Sequence, residues 1–241
     1  MPNSFFKFKQ FIVYHDRTAM KVTTDTCCFG AWAAIEMEKT KLKIKNVLDI
    51  GAGTGLLSLM IAQKNKVHID AVEIDPDAAE QAKENVLLSP WKDQLGIYNM
   101  DILSFRPDKN YECIICNPPF YENELASDRE KKNLAHHSTG LTIAQVLGVI
   151  NQCLANGGVF FLLYAFKRKE QVERLITSQG LHLTEQVILR QSVNHAPFRT
   201  MVMGTNQTAG EINSREISIW NDKQQYTEEF RDLLKDYYLY L

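Results

Sequence analysis

Asn117-Pro118-Pro119-Phe120 follows the apolar run Glu112-Cys113-Ile114-Ile115-Cys116 and combines residue types suited to holding a planar nitrogen. The exocyclic amine of a base or amide is a weak nucleophile, because its lone pair is delocalised into the attached π system. Asn117 offers a side-chain oxygen, Pro118 a main-chain carbonyl and Phe120 a ring that can stack on a planar substrate. Two acceptors favour the positive charge that builds on nitrogen as it attacks a methyl group in line. Orientation and electrostatic placement then replace a strong general base. Consecutive prolines fix the loop and remove two amide donors, leaving carbonyls to accept. The bland alternative is a rigid turn after a strand.

Upstream lies Asp49-x-Gly51-x-Gly53-x-Gly55. A dinucleotide fingerprint reads Gly-x-Gly-x-x-Gly, whereas here the glycines alternate and an acid precedes the first. Pyrophosphate would not favour that acid. It suits pairing with a cationic amino group, or orienting the loop, which fits the methionine end of S-adenosylmethionine. Glu73 is placed to end the second strand, where a carboxylate accepts from both ribose hydroxyls. Asp101 ends the third strand and is a candidate acceptor for the adenine amino group, with Ile74 and Ile102 packing near the ring. A turn cap at Asp101 would look identical, and Asp75 reads as a helix cap.

These residues need a parallel sheet to bring them together, because ligands in such folds bind beyond the carboxyl ends of the strands. From Lys45 the chain alternates short β-rich runs with helical patterns. Strands are expected at 46–50, 67–74, 95–99, 111–116 and 159–165, with helices at 54–63, 77–88, 141–154 and 167–178. Asn156-Gly157-Gly158 reads as a turn. The segments 181–190 and 198–204 are expected to pair antiparallel, and 226–241 to form a short amphipathic helix. The polar stretch from Tyr121 to Gly140 is longer than usual connections and reads as a substrate loop or a solvated one.

At 241 residues, 45% hydrophobic and 23% charged, the chain is long enough for one substantial α/β domain. No membrane span or signal-peptide core is evident, so a cytoplasmic protein is expected. The formal charge of −2 gives no global basic signature, and RNA binding would need a local patch. Five cysteines lack a regular framework and read as reduced thiols. Cys113 and Cys116 would point to opposite faces of one strand, and His136-His137 lacks a third ligand, so no metal site is expected.

At this point the chain resembles class I S-adenosylmethionine-dependent methyltransferases of the amino-methylating Asn-Pro-Pro-Phe/Tyr type, over about residues 46–204. The resemblance implies a Rossmann-like α/β fold, with a seven-stranded, mostly parallel sheet, an antiparallel last strand and helices on both faces. Val13-Tyr14-His15-Asp16-Arg17-Thr18-Ala19-Met20-Lys21-Val22-Thr23-Thr24-Asp25 and the Tyr226-Thr227-Glu228-Glu229-Phe230 to Tyr237-Tyr238-Leu239 region are similar to the bacterial valine-tRNA adenine-N6 methyltransferases. That likeness implies N6-methylation of adenosine 37, immediately 3′ of the anticodon. It also implies that residues 1–45 close the cofactor site through Lys21, Thr23 and Asp25, over a core at 46–205 followed by a tail at 206–241. Thr23 stands where the family usually carries glycine.

The partner expected is a tRNA anticodon loop, with no membrane and no obligate protein partner. Its adenine would be splayed out and stacked on Phe120 and Tyr121. Lys7, Lys9, Arg129, Lys131, Lys132, Lys167, Arg168, Lys169 and Arg199 are candidate phosphate contacts at termini or loops near the carboxyl edge. Three alternatives remain open: glutamine-N5 methylation of a release factor, guanine-N2 methylation of ribosomal RNA, and a non-catalytic RNA-binding module. The first usually carries a sizeable helical N-terminal domain and the second a duplicated one.

Overall fold

The computed structural model describes residues 3–118 and 141–241. A two-stranded antiparallel arm comes first, β1 (Phe5–Lys7) and β2 (Ile12–Tyr14), followed by α1 (Thr24–Lys39). The main sheet contains β3 (Asn46–Ile50), β4 (His68–Glu73), β5 (Leu95–Asn99), β6 (Tyr111–Cys116), β7 (Leu154–Ala165), β8 (His182–Ser192), β9 (Pro197–Thr205) and β10 (Asn213–Trp220). Among the described residues the helices after α1 are α2 (Leu56–Lys64), α3 (Pro76–Leu87), α4 (Ile143–Cys153), α5 (Lys169–Ser178) and α6 (Glu228–Leu234).

The strand order is β10-β8-β9-β7-β6-β3-β4-β5. In this sheet only β9 runs against the others. The seven strands β3 to β9 match the expected architecture, with β9 as the antiparallel one. Among the described residues the expected count of seven is corrected to eight, because β10 pairs parallel with β8 and extends that edge. β3 has β4 on one side and β6 on the other, so the chain's crossovers diverge there. This is the switch point at which an open parallel sheet leaves a crevice.

Alternation along the strands sorts side chains into two cores. Val47, Cys113, Ile115 and Phe161 pack with α1, α2 and α6, while Leu48, Ile114, Cys116 and Phe160 pack with α4 and α5. Cys113 and Cys116 therefore do face opposite sides. All five cysteines are free and buried. Burial pushes the Cys27 thiol up to about 12 and raises those of Cys28, Cys113 and Cys116, so none of these four supplies a thiolate at neutral pH.

Three further expectations need correction. α1 was not anticipated as an element, yet it is buried from Asp25 to Ala34 and sets Trp32 edge-on against Phe161, with ring centroids 5.4 Å apart. β7 begins at Leu154 and runs through the glycines read as a turn. A register shift against β6 accommodates them, and Gly157 takes φ +72°. The C-terminal helix spans only Glu228–Leu234, capped by Thr227 Oγ1, which accepts from the Phe230 amide at 3.2 Å. The chain then leaves the helix, so that Tyr237 buries its ring and donates its hydroxyl to Met60 O at 2.9 Å.

Candidate active site

The turn after β3 is built from three left-handed glycines. Gly51, Gly53 and Gly55 have φ +73°, +55° and +78°. At Gly51 and Gly53 an added Cβ would meet nothing within 4 Å, so the backbone there borders open space, while a Cβ added at Gly55 would lie 3.5 Å from Ala82 Cβ of α3. The first two thus let a ligand approach the main chain, and the third serves close packing of the turn on a helix.

Glu73, at the end of β4, braces that turn. Its Oε2 accepts from the Gly53 amide at 2.8 Å and its Oε1 from the Asp75 amide at 2.9 Å. A carboxylate has about four acceptor positions, so lone pairs remain for hydroxyl donors. Asp75 caps α3 by accepting from Ala78 N at 2.8 Å. Ile74 is 60% exposed at the same strand end, whereas Ile102 is buried in the core below. Asp101 accepts from Leu103 N at 2.9 Å as the cap of a short 3-10 turn, with its other oxygen not engaged by that bond.

Asp49 lies beneath the turn and has no exposed surface. Its Oδ2 accepts from Ser58 Oγ at 2.7 Å, while Oδ1 has no hydrogen-bond partner. Burial and the nearby Glu73 charge raise its pKa to about 6, against the lowering effect of the Ser58 bond. The acid before the glycines is thus anchored from α2 through one oxygen, with the other unengaged among the described residues. Because its folded pKa lies above the ordinary carboxylate value, the folded chain holds this proton more tightly than the unfolded one. The resulting stabilisation is complete below the unfolded value and lost as pH rises through about 6. We expect Asp49→Asn, which carries no charge at any pH, to gain stability relative to the parent by on the order of 2 kcal/mol between pH 4 and pH 7. Denaturant melts across that range check this, and parallel stability curves would refute it.

Asn117 follows β6 directly and is half-buried, with Pro118 buried behind it. Its Nδ2 donates to Thr26 Oγ1 at 3.1 Å, and Thr26 Oγ1 lies 2.9 Å from Thr23 Oγ1. With the amide nitrogen held by α1, Oδ1 is a buried acceptor without a partner among the described residues. Such an atom costs about 1–3 kcal/mol to leave unsatisfied, which is what a site waiting for an N–H donor looks like. Thr26 was not singled out from sequence. It fixes the Asn117 side chain from α1. Thr26→Val, equal in shape but lacking the hydroxyl, should lower kcat about tenfold, as expected for one lost orienting bond. Thr26→Ser should restore it, and steady-state kinetics of both variants decide the point. Equal kcat in Thr26→Val and the parent would remove Thr26 from this role.

The other residues expected at the site divide. Asp25 pairs with Arg199, its Oδ2 lying 2.7 Å from Nε, so it ties α1 to the start of β9. Lys21 and Thr23 are exposed in the connection from β2 to α1. Lys9 does not lie at the carboxyl edge as expected. Its Nζ donates to Lys235 O and its amide to Tyr237 O, at the far end of α2 from the glycine turn. Lys169 pairs with Glu173 at 2.9 Å. Phe120, Tyr121, Arg129, Lys131, Lys132 and His136-His137 lie outside the described residues. Asn85, also not singled out, is fully buried on α3. It donates to both Tyr14 O and Thr54 O at 2.9 Å and accepts from Tyr14 N, clamping the arm to the glycine turn. A polar residue among Ala78, Ala82 and Val86 on one helix face was the available signal.

The family described as "Methyltransferase small domain" matches residues 33–175. A protein of Phocaeicola vulgatus named tRNA1(Val) (adenine(37)-N6)-methyltransferase is 37% identical, over 99% of each chain. One of the same name from Klebsiella pneumoniae subsp. pneumoniae is 36% identical over all of this chain and 97% of its own. This chain belongs to that methyltransferase family. The solved structures similar to it share the fold at low identity. A predicted O-methyltransferase from Agrobacterium tumefaciens has a TM-score of 0.63 at 14% identity, covering 87% of this chain and 95% of its own. A glycopeptide N-methyltransferase complexed with S-adenosylmethionine has 0.55 at 14% identity, covering 74% and 94%. Among the described residues of this family member, no helix is long and apolar enough to cross a membrane.

Proposed function

We propose that this chain transfers a methyl group from S-adenosylmethionine to N6 of adenosine 37, immediately 3′ of the anticodon, in valine tRNA. The observation that carries the reading is the buried, unpartnered Oδ1 of Asn117 beside an open glycine turn. The names of relatives similar over the whole chain support the substrate.

The residues present fit the cofactor. Room at Gly51 and Gly53 suits a ligand lying on the main chain, and the spare lone pairs of Glu73 suit ribose hydroxyls. Exposed Ile74 is assigned to cover the adenine ring, and Asp101 with Ile102 to border it. Bound there, S-adenosylmethionine supplies an electrophilic methyl group that needs no metal. Asn117 Oδ1 and the Pro118 carbonyl then take the two N–H donors of the target amine, turning its lone pair toward that methyl group and stabilising the charge that builds on nitrogen. Phe120 is assigned the stacking role. Residues 1–45 close the site over the 46–205 core, with Lys21 and Thr23 in the connection to α1 and Asp25 acting through its Arg199 pair. The reading is of a cytoplasmic enzyme, with 206–241 completing one domain.

The deciding experiment is methyl transfer from labelled S-adenosylmethionine to unmodified valine tRNA, in parallel with ribosomal RNA and a release factor, followed by nucleoside and amino-acid mass analysis. N6-methyladenosine at position 37, lost when that adenosine is changed, is the expected result. Label in glutamine or N2-methylguanosine would move the substrate, and no label anywhere would return the chain to RNA binding alone.

A further inference from the structure

The eighth strand carries more than an edge. β10 ends at Trp220, whose ring stacks on Tyr226 with centroids 4.1 Å apart and planes 22° apart. Tyr226 stacks in turn on Phe230 at 4.7 Å and 24°, and Phe230 is fully buried. A three-ring column therefore rises from the core and ends at a half-buried indole. Trp220 also lines a cavity of about 400 Å³, shared with Gln191, Asn194, His195, Asn221 and Gln224 among others.

The chemistry of that wall is selective. It holds neutral amides, an imidazole and the Asp222 carboxylate, with no lysine or arginine. A phosphate would find no cation there. A nucleobase would find an aromatic platform and amide side chains able to donate and accept along its edge. The Asn221 oxygen is already committed, accepting from Lys223 N and Gln225 N at 2.9 Å each. Edge recognition falls to Gln191, Asn194 and Gln224. Gln224 is also the one non-glycine residue with positive φ among the described residues, at +57°. Backbone of that kind costs about 1 kcal/mol or more for a side-chain-bearing residue, and here it closes the turn in which Gln224 N bonds Asn221 O and Asn221 N bonds Gln225 O.

Position links the cavity to the reacting centre. β10 runs parallel to β8, so Trp220 and Asn117 sit at the same edge of the sheet. Four strand spacings separate β10 from β6, roughly 19 Å at ~4.8 Å each, and the pairing register sets Trp220 about five residues, ~16 Å, beyond the level of Asn117, a span of about 25 Å that several nucleotides of an unpaired loop cover. Between them a smaller cavity of about 200 Å³ is bordered by Trp220, Phe198, Thr24 and Asp25, and the next residue, Thr26, holds Asn117.

We infer that Trp220 and the cavity beside it form a second nucleobase subsite, which receives an unpaired base of the anticodon loop other than the methylated adenosine. The inference rests on the proposed tRNA substrate. It assigns Trp220 to stacking and Gln224 to the base edge, and places the RNA strand across the start of β9 and the N-terminal end of α1.

The test is steady-state methylation of unmodified valine tRNA by the full chain and by Trp220→Ala, Trp220→Phe and Gln224→Gly. Melting temperature and S-adenosylmethionine affinity are measured alongside. Trp220→Ala should raise KM for tRNA about tenfold to a hundredfold, the effect of one lost base stack, and Trp220→Phe should recover most of it. Gln224→Gly relaxes the backbone while removing the amide, so it should raise KM several-fold without lowering the melting temperature. Cofactor affinity should stay constant throughout. A parental KM in folded Trp220→Ala would overturn the inference alone, as would losses that follow the melting temperature with phenylalanine no better than alanine. Absence of methylation by the parent chain would overturn the proposed substrate and the subsite together.

Discussion

Asn117→Ala is expected to lower turnover about a thousandfold, at the upper end of what removing one preorganised electrostatic partner costs an enzyme. The truncation deletes Oδ1, the unpartnered acceptor at the end of β6, and also frees Thr26 Oγ1 from its bond to Nδ2. Neither atom braces the glycine turn, which hangs instead on Glu73 and Asn85. Cofactor affinity should therefore be nearly unchanged, and the loss should appear in kcat at saturating tRNA. Single-turnover methylation with a parallel measurement of cofactor Kd separates the two. Equal losses in both would show that Asn117 shapes the cofactor site and would refute its placement at the amine. Combined with Thr26→Val, the alanine variant should lose little more than it does alone, because Thr26 acts through the side chain that has gone.

Glu73→Ala should behave in the opposite sense. It removes the acceptor for Gly53 N and Asp75 N as well as the carboxylate assigned to the ribose. A hydrogen bond to a charged group contributes about 1.5–3 kcal/mol, and each ~1.4 kcal/mol is tenfold in affinity. Cofactor Kd should rise by about tenfold to a hundredfold for the ligand bond alone, and further if the turn relaxes. Turnover at saturating cofactor should largely survive, since the atoms assigned to hold the amine belong to Asn117 and Pro118, just after β6. Calorimetric titration with S-adenosylmethionine, followed by kinetics at the saturating concentration it defines, checks both halves. An unchanged Kd would mean that Glu73 only braces the loop.

The sequence made the parallel half of the sheet readable because its signals are local and repeated. Ile50 closes an apolar run just before three glycines, Asp75-Pro76 announces α3, and the apolar stretch through Cys116 leads into two prolines. The features it concealed depend on distant partners. β10 buries only Ile217 and Ile219, with Arg215 and Glu216 outside, so its alternation is too short to stand out. α1 is buried nearly all round, and a helix without a polar face has no stripe to find. The same limit applies at the site. Asp49, Glu73 and Asn117 could be picked out by their places after apolar runs. The grip of Thr26 on Asn117 joins residues 91 positions apart, and that of Asn85 on Tyr14 spans 71. Arg199 could be noted as a basic residue, but its engagement with Asp25 lies 174 positions away.

The arm formed by β1 and β2 has a consequence in time. Phe8 pairs with Tyr238 and the Lys9 amide bonds Tyr237 O, so the arm is synthesised about 230 residues ahead of the segment on which it docks. At typical synthesis rates of ~5–20 residues per second, that interval is roughly ten to fifty seconds. Trp220 is added only near the end of that interval. A growing chain can bring the glycine turn and Asn117 into one sheet well before either lateral support exists. The lateral supports of the site therefore join a sheet that synthesis has already had time to build.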